Sequence, residues 1–301
     1  MAGDVCAALM ASPQSAPPPA VPVVGSVRIL AFGDFGTGGR DQRTVAQAMA
    51  ALDRRAPFSL GVTLGDNFYE EGLNRPDHPR WRTNWEEMYG GLGIRIYAVL
   101  GNHDYRDPAS PKAEMARSQL SRTWCLPRLY YTFRAGPVQL FALNTEPIAR
   151  GDASAAEQLS WLDGALAASR APWKVVYGHY PVYTNGEHGG DQGVIPPLRQ
   201  RVLPILRKHR VDVYLAGHDH DLEVLKPDGG VLFLIAGGGG RSVRPLESAA
   251  CRDWAASRFG FTVLEAGEKD LAATFYGTGG APLHEVRLRK GQPVPDCRRP
   301  I

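Results

Sequence analysis

Five short clusters of glycine with aspartate, asparagine or histidine recur along the 301-residue chain, and each begins where an apolar run of strand length ends. Rigid strands fix the short loops that leave them, and ligands of open α/β sheets bind at the carboxyl ends of strands. Loops at one edge of a sheet can therefore converge on one site. The clusters occupy residues 33–36, 65–69, 101–104, 178–180 and 217–220.

The apolar runs alternate with helical patterns, which predicts an α/β fold. Residues 27–32 and 58–64 are typical of buried strands and enclose a helical pattern at 44–54, so together they predict a βαβ unit. Residues 130–134 and 138–144 flank an Ala-Gly-Pro turn and predict a hairpin. The strand pattern fits a four-layer αββα sandwich, in which helices flank two mixed β-sheets and the site lies at the carboxyl ends of strands.

Composition favours a packed globular enzyme, since 44% of the residues are hydrophobic. The net charge is only +3 and the charges are intermixed, so we expect no nucleic-acid partner. No apolar run is long enough for a transmembrane segment, and no feature indicates an oligomeric state. Residues 1–25 are rich in Pro and Ala and show no intact signal peptide, so we expect a poorly ordered leader or a trimmed signal. Residues 26–301 would then form a single catalytic domain.

The four cysteines do not have the spacing of a thiolate zinc site. They are Cys6, Cys125, Cys251 and Cys297. Cys251 and Cys297 lie in Arg-containing segments and could form a disulfide if the chain is exported. Four unpaired thiols remain an equal alternative.

The clusters contain the residue types that hold two neighbouring metal ions. Such a pair needs a carboxylate that can bridge, together with imidazole and oxygen ligands in roughly octahedral shells. Taken singly, an aspartate after a strand is commonly a turn residue or a helix cap, and a lone histidine is commonly solvated. The ordered set of clusters favours a metal centre. Its candidate ligands are Asp34, Asp66, Tyr69, Asn102, His179, His218 and His220.

The ordered set resembles the calcineurin-like metallophosphoesterases. Gly65-Asp66-Asn67-Phe68-Tyr69 and Gly178-His179-Tyr180-Pro181 are similar to motifs of the purple acid phosphatase branch, and the segments between the motifs resemble its small, tartrate-resistant animal members. The similarity extends over nearly all of residues 27–276. It implies an acid phosphatase that is usually exported, and ferric iron would suit an oxidising compartment.

The resemblance also implies which side chains hold which metal. A ferric ion would be bound by Asp34, Tyr69 and His220, and Asp66 would bridge to the second ion. That ion would be divalent iron, zinc or manganese, bound by Asn102, His179 and His218. A phenolate is a hard anionic donor suited to Fe(III), which agrees with this division.

The implied reaction is the hydrolysis of a phosphomonoester of a small molecule by a metal-bound hydroxide. His103 and His188 match histidines that face the phosphate and the leaving group, and an exposed loop position is the alternative for His188. Asn67 is expected to support the loop and Asp104 to orient His103. A phosphodiesterase or phospholipid-directed esterase on the same metals is a second interpretation. A metal or redox protein, or a phosphate binder without hydrolytic activity, is a third.

Overall fold

The computed structural model describes residues 4–23, 25–246 and 252–292. None of the helices in these ranges is both long and apolar enough to cross a membrane. Two one-turn 3-10 helices, Gly90–Leu92 and Glu187–Gly190, and a π-helix, Arg82–Glu86, supplement the α-helices. The α-helices are α1 (Val5–Ala11), α2 (Arg40–Asp53), α3 (Glu87–Tyr89), α4 (Ser110–Arg117), α5 (Thr145–Arg150), α6 (Ala153–Ala168) and α7 (Ile195–Lys208).

The strands form an eight-stranded and a seven-stranded mixed sheet. The eight-stranded sheet has the order β1-β6-β7-β8-β9-β11-β10-β12, and the seven-stranded sheet has the order β15-β14-β13-β2-β3-β4-β5. The strands are β1 (Ala20–Val21), β2 (Val27–Phe32), β3 (Leu60–Thr63), β4 (Ile96–Tyr97), β5 (Trp124–Cys125), β6 (Tyr131–Ala135), β7 (Val138–Ala142), β8 (Trp173–Tyr177), β9 (Val213–Ala216), β10 (Leu222–Asp228), β11 (Val231–Ala236), β12 (Arg252–Ala256), β13 (Gly260–Ala266), β14 (Asp270–Gly277) and β15 (Pro282–Arg289).

Strands of the eight-stranded sheet are buried on both faces. Leu140 of β7 and Val175 of β8 belong to the core between the sheets, whereas their neighbours Phe141 and Val176 belong to a second core. The second core also contains apolar side chains of α6 and α7. Each fully buried side chain of this size stabilises the fold by about 1.5–3 kcal/mol. On the outer face of the other sheet, α2 packs near α3. The predicted four-layer αββα sandwich is thereby confirmed.

The order of the strands places parallel carboxyl ends side by side. In the seven-stranded sheet β2, β3 and β4 are parallel neighbours, and in the eight-stranded sheet β7, β8, β9 and β11 are parallel neighbours. The predicted βαβ unit is present as β2-α2-β3, and the predicted hairpin is the antiparallel pair of β6 and β7. Loops from both sheets therefore meet at one edge of the sandwich.

The N-terminal segment differs from the expected poorly ordered leader. It forms α1, whose side chains Val5 and Leu9 are buried, and a disulfide joins Cys6 to Cys125 at the end of β5. We did not foresee this pairing, and for these two cysteines the alternative of free thiols is wrong. Cys251 and Cys297, the pair considered from the sequence, lie outside the described residues. The division into a leader and a catalytic domain at residue 26 stays a prediction.

Candidate metal centre

Loops from five strands bring the candidate ligands together. Asp34 follows β2, Asp66 follows β3, and Asn102 lies in the segment after β4. The histidines come from the other sheet: His179 follows β8, and His218 and His220 follow β9. The backbone is left-handed at Asp34 (φ 60°), Asp66 (φ 51°) and His218 (φ 71°), a conformation that costs residues other than glycine about 1–3 kcal/mol. Such strained positions persist only where the surrounding structure fixes them, and they cluster at functional sites.

The flanking glycines permit close approach of these loops. A Cβ atom at Gly101 would lie 2.2 Å from Oδ1 of Asp66, and one at Gly217 would lie 2.5 Å from Oδ2 of Asp34. Both distances are far below the van der Waals contact distance between carbon and oxygen. A side chain at either position would therefore displace a candidate bridging or terminal carboxylate, which explains why glycine accompanies the clusters.

One group of side chains surrounds the Tyr69 hydroxyl. The hydroxyl lies 3.2 Å from Oδ1 of Asp34 and 3.3 Å from Nε2 of His220. His220 Nε2 is in turn 3.6 Å from Asp34 Oδ1. The family resemblance implies that these three residues bind a ferric ion. They form one compact, buried triangle of oxygen and nitrogen ligand atoms.

Asp66 lies between this triangle and a second group. Its Oδ2 accepts a hydrogen bond of 2.9 Å from the Tyr69 hydroxyl, and its Oδ1 is 3.5 Å from Nε2 of His179. Donor atoms of Asp34, Asp66 and His179 all lie within 4.8 Å of one another, close enough to hold an ion. The position of Asp66 is that of a carboxylate able to reach two ions.

The second group contains the remaining candidates. Nε2 of His179 is 2.9 Å from Oδ1 of Asn102, and the Leu64 carbonyl oxygen lies 2.8 Å from His179 Nδ1 and so fixes the ring. The ring of His218 is 5.0 Å from that of His179. Nε2 of His218 is buried and has no hydrogen-bond partner within the described residues. Leaving such an atom unpaired costs about 1–3 kcal/mol, which a bound metal would remove.

The electrostatics of the pocket also favour a cation. Burial, followed by the charge of Asp66, raises the pKa of Asp34 well above its usual value. Burial and then the charges of Asp66 and Asp34 raise the pKa of Tyr69. Burial and nearby positive charge lower the pKa of His220 to about 3 and that of His218 well below its usual value. The site therefore offers neutral imidazoles to a cation, and it needs positive charge to stabilise its carboxylates and a phenolate. The donor set fits a metal pair, and the assignment of each ligand stays a prediction.

Asn67 and Asp104 lie beneath the centre. The Asp104 carboxylate accepts hydrogen bonds from the backbone amides of Gly101 at 2.8 Å, Asn67 at 3.0 Å and Phe68 at 3.2 Å. The Asn67 side chain donates to the Val99 carbonyl oxygen at 2.8 Å. Asp104 therefore holds two ligand loops together. Among the described residues its carboxylate has no hydrogen bond to the His103 ring, which we expected it to orient.

His103 is oriented by other groups. Its backbone N–H donates to Asp66 Oδ1 at 2.9 Å, its Nδ1 lies 2.6 Å from the Glu70 carbonyl oxygen, and its Nε2 lies 3.1 Å from Nη2 of Arg106. The ring centre is 4.5 Å from that of Tyr69. His103 thus borders the candidate metal centre and is partly accessible at its surface.

His188 also borders the centre, on the side of His218. Its Nδ1 is 2.9 Å from Oδ1 of Asp219, which is fully buried, and its ring centre is 4.0 Å from that of His218. Nη1 of Arg244 lies 2.8 Å from His188 Nδ1. His188 is thus held beside the candidate centre, and its role in the reaction stays a prediction.

The segment after β11 contributes residues that the sequence did not single out. Residues 237–240 are four consecutive glycines, and they are buried. A Cβ at Gly237 would lie 2.8 Å from Oδ2 of Asp34. Two residues further on, the Ser242 hydroxyl oxygen lies 2.7 Å from Nδ1 of His220. A Gly run at the end of a buried strand was the only available signal of this close packing.

Comparison with known proteins agrees with this geometry. Residues 27–222 match the profile of the family described as calcineurin-like phosphoesterase. The chain is 29% identical to purple acid phosphatase 7 of Arabidopsis thaliana, with 88% of this chain and 87% of that protein covered. It is 30% identical to human tartrate-resistant acid phosphatase type 5, with 89% of this chain and 93% of that protein covered.

A solved structure shares the fold. A Plasmodium protein described as GAP50, the anchor in the inner membrane complex, superposes with a TM-score of 0.76. The identity is 20%, and the match covers 90% of each chain. At that identity the likeness extends to the fold alone, and the chemistry must be argued from the side chains.

Proposed function

The chain belongs to the calcineurin-like phosphoesterase family and is a metal-dependent phosphoesterase of the purple acid phosphatase type, and we propose that it hydrolyses phosphomonoesters at a dinuclear Fe(III)–M(II) centre. The relatives named above support the phosphatase activity. The single observation that supports the dinuclear centre best is the position of Asp66, with one carboxylate oxygen beside Tyr69 and the other beside His179.

We further propose how the metals are divided. Asp34, Tyr69 and His220 would hold the ferric ion, because their anionic oxygens suit a hard trivalent cation. Asn102, His179 and His218 would hold the divalent ion, which would be iron, zinc or manganese. When bound, the pair would polarise the phosphoryl group, neutralise charge on its oxygens and lower the pKa of a coordinated water.

The surrounding histidines would handle protons. The Glu70 carbonyl oxygen accepts at His103 Nδ1, and the Asp219 carboxylate accepts at His188 Nδ1. Nε2 is then the ring nitrogen left to serve the substrate, and it becomes available when the guanidinium beside it turns towards the anionic substrate, that of Arg106 at His103 and that of Arg244 at His188. We propose that Nε2 of His103 donates a hydrogen bond to the phosphoryl group, and that Nε2 of either histidine delivers a proton to the departing oxygen.

One assay separates this proposal from the alternatives. The purified, metal-loaded protein would be supplied with p-nitrophenyl phosphate and with bis(p-nitrophenyl) phosphate, and its metal content and visible spectrum would be recorded. We expect turnover of the monoester to exceed that of the diester, with iron and a second metal bound. Faster turnover of the diester would favour a phosphodiesterase. A metal-loaded protein with no turnover of either ester would favour a redox or phosphate-binding role.

We also propose that the protein is exported. The disulfide between Cys6 and Cys125 supports this, because disulfides persist in oxidising compartments. Fractionation of the source cells, combined with thiol alkylation before lysis, would test it. Recovery of the protein in the cytoplasmic fraction with both thiols free would contradict export.

A further inference from the structure

Two arginines from the segment after β11 stand at the rim of the candidate metal centre. The backbone N–H of Arg241 donates to the Asp34 carbonyl oxygen at 3.0 Å, and that of Arg244 donates to the His220 carbonyl oxygen at 3.3 Å. Both arginines are therefore attached through the main chain to residues that carry candidate ligands. Their side chains have fixed starting points relative to the metals.

The Arg244 guanidinium contacts one of the two candidate proton-handling histidines, and that of Arg241 contacts the Tyr69 ring beside the other. Nη1 of Arg244 lies 2.8 Å and 2.9 Å from the two ring nitrogens of His188. The Arg241 guanidinium carbon is 5.1 Å from the ring centre of Tyr69, which in turn lies 4.5 Å from the ring centre of His103. The leaving group must lie next to the histidine that protonates its oxygen. Both arginines are therefore close to the path of the leaving group.

Each guanidinium is paired with an exposed glutamate. Arg241 forms an ion pair with Glu70, and Nε of Arg244 is 3.5 Å from Oε2 of Glu187. The side chains of Glu70 and Glu187 are each 61% exposed, whereas those of Arg241 and Arg244 are 37% and 25% exposed. Ion pairs with so exposed a partner contribute about 0–1 kcal/mol. An anionic substrate group can therefore replace either glutamate at small cost.

We propose that Arg241 and Arg244 form an anion subsite that binds a second acidic group carried by the leaving group of the substrate. The inference rests on the proposed phosphatase function, because the leaving group is defined by that reaction. A guanidinium binds phosphate and carboxylate oxygens in a paired, planar geometry. The substrate class is therefore a phosphate attached to a group with its own negative charge, either a second phosphate or a carboxylate.

The test uses three inhibitors that share one phosphonomethyl unit. Methylphosphonate carries no second acidic group, phosphonoacetate adds a carboxylate, and methylenediphosphonate adds a second phosphonate. Inhibition constants against p-nitrophenyl phosphate would be measured for the metal-loaded wild type, Arg241→Gln and Arg244→Gln. We expect the wild type to bind at least one two-group inhibitor more tightly than methylphosphonate, and the preferred inhibitor identifies the second group. We expect that preference to fall by about tenfold or more in each variant, because each variant lacks a hydrogen bond to a charged group.

Control variants exclude general effects. Arg287, which pairs with Glu285 on β15, is an exposed arginine distant in the fold, and Arg287→Gln should leave the preference unchanged. Glu187→Gln should strengthen binding of the two-group inhibitor more than that of methylphosphonate, a gain that misfolding cannot produce. Equal losses for all three inhibitors in the arginine variants, or weaker binding of the two-group inhibitor by Glu187→Gln, would overturn the subsite.

The subsite can fail separately from the phosphatase function. Calorimetric binding of the same three compounds needs no turnover and still compares their affinities. A wild type that hydrolyses p-nitrophenyl phosphate without any preference among the inhibitors would defeat the subsite alone. A metal-loaded wild type that hydrolyses no monoester would defeat the proposed function, whatever the inhibitors show.

Discussion

The Tyr69 hydroxyl donates a hydrogen bond of 2.9 Å to Oδ2 of Asp66, and both side chains are buried. Burial and the negative charges of Asp66 and Asp34 raise the pKa of this phenol, so Tyr69 is protonated in the metal-free protein. Only a strong Lewis acid at the same place can stabilise the phenolate. Tyr69 therefore connects the geometry of the pocket to the identity of the metal.

Replacing Tyr69 with Phe tests the ferric assignment. The change removes only the hydroxyl, so the ring contacts with His103 and Arg241 remain and the fold should be retained. If the phenolate binds Fe(III), the wild type is violet and Tyr69→Phe loses the visible charge-transfer band, as the family resemblance implies. Visible spectra would be compared at matched iron content. A band of unchanged intensity in the variant would show that Tyr69 is not an iron ligand.

Replacing His103 with Ala tests whether its ring binds the phosphoryl group and delivers a proton to the departing oxygen. Loss of a general acid lowers turnover by about 10²–10⁴-fold, and the metals should stay bound because no candidate ligand is removed. Turnover of p-nitrophenyl phosphate and metal content would be measured on the same sample. His209→Ala is a matched control, since His209 pairs with Asp163 at the end of α7, and it should retain wild-type turnover. Release of metal from His103→Ala would assign His103 a structural role instead.

The sequence predicted the positions of the ligand clusters because each depends on a local rule. Asp34 and Asp66 follow buried strands, and the polar residue after a parallel strand must lie at the carboxyl edge of the sheet. The glycines beside them could be recognised as well, although the carboxylate contacts at Gly101 and Gly217 became clear only in three dimensions.

What the sequence did not reveal depends on contacts between distant segments. Cys6 and Cys125 are separated by 119 residues, and no spacing rule pairs them. Ser242 and Arg244 reach His220 and His188 from a loop without a recognisable pattern. Such side chains are fixed by the packing of whole strands against each other, which one-dimensional periodicity does not describe.

Glu114 should make stability depend on pH. It is buried beneath the centre, where Ser110 donates to it at 2.8 Å and Asn67 at 3.1 Å, close to Asp104. Burial raises the pKa of Glu114 to about 8, compared with 4.5 for an unperturbed glutamate. Between these values the folded state holds a proton that the unfolded state releases. The contribution of Glu114 to the free energy of unfolding is therefore largest below about pH 4.5 and falls as pH rises towards about 8, by up to about 1.4 kcal/mol per pH unit.

Glu114→Gln should flatten that dependence. Glutamine has nearly the same shape and stays neutral, so the variant should lose less stability than the wild type between about pH 5 and 8. Urea unfolding at several pH values would give the pH dependence of the free energy of unfolding for both proteins. The proteins should be metal-free, because bound metals would add their own pH dependence. Equal slopes for the two proteins would mean that Glu114 is ionised in the fold. Burial also raises the pKa of Asp104. The free energy of unfolding of the variant should therefore keep some dependence on pH.

The disulfide between Cys6 and Cys125 should stabilise the fold without being part of the chemistry. It closes a long loop, because 119 residues separate the two cysteines, and such cross-links stabilise by about 2–5 kcal/mol, largely by restricting the unfolded chain. It also holds α1, with Val5 and Leu9, in the core beside the edge strand β5. We expect Cys6→Ser/Cys125→Ser to unfold at lower temperature than the wild type. A reducing agent should bring the wild type close to the double variant and leave the variant unchanged. Identical melting temperatures for oxidised wild type, reduced wild type and variant would show that the cross-link adds no stability.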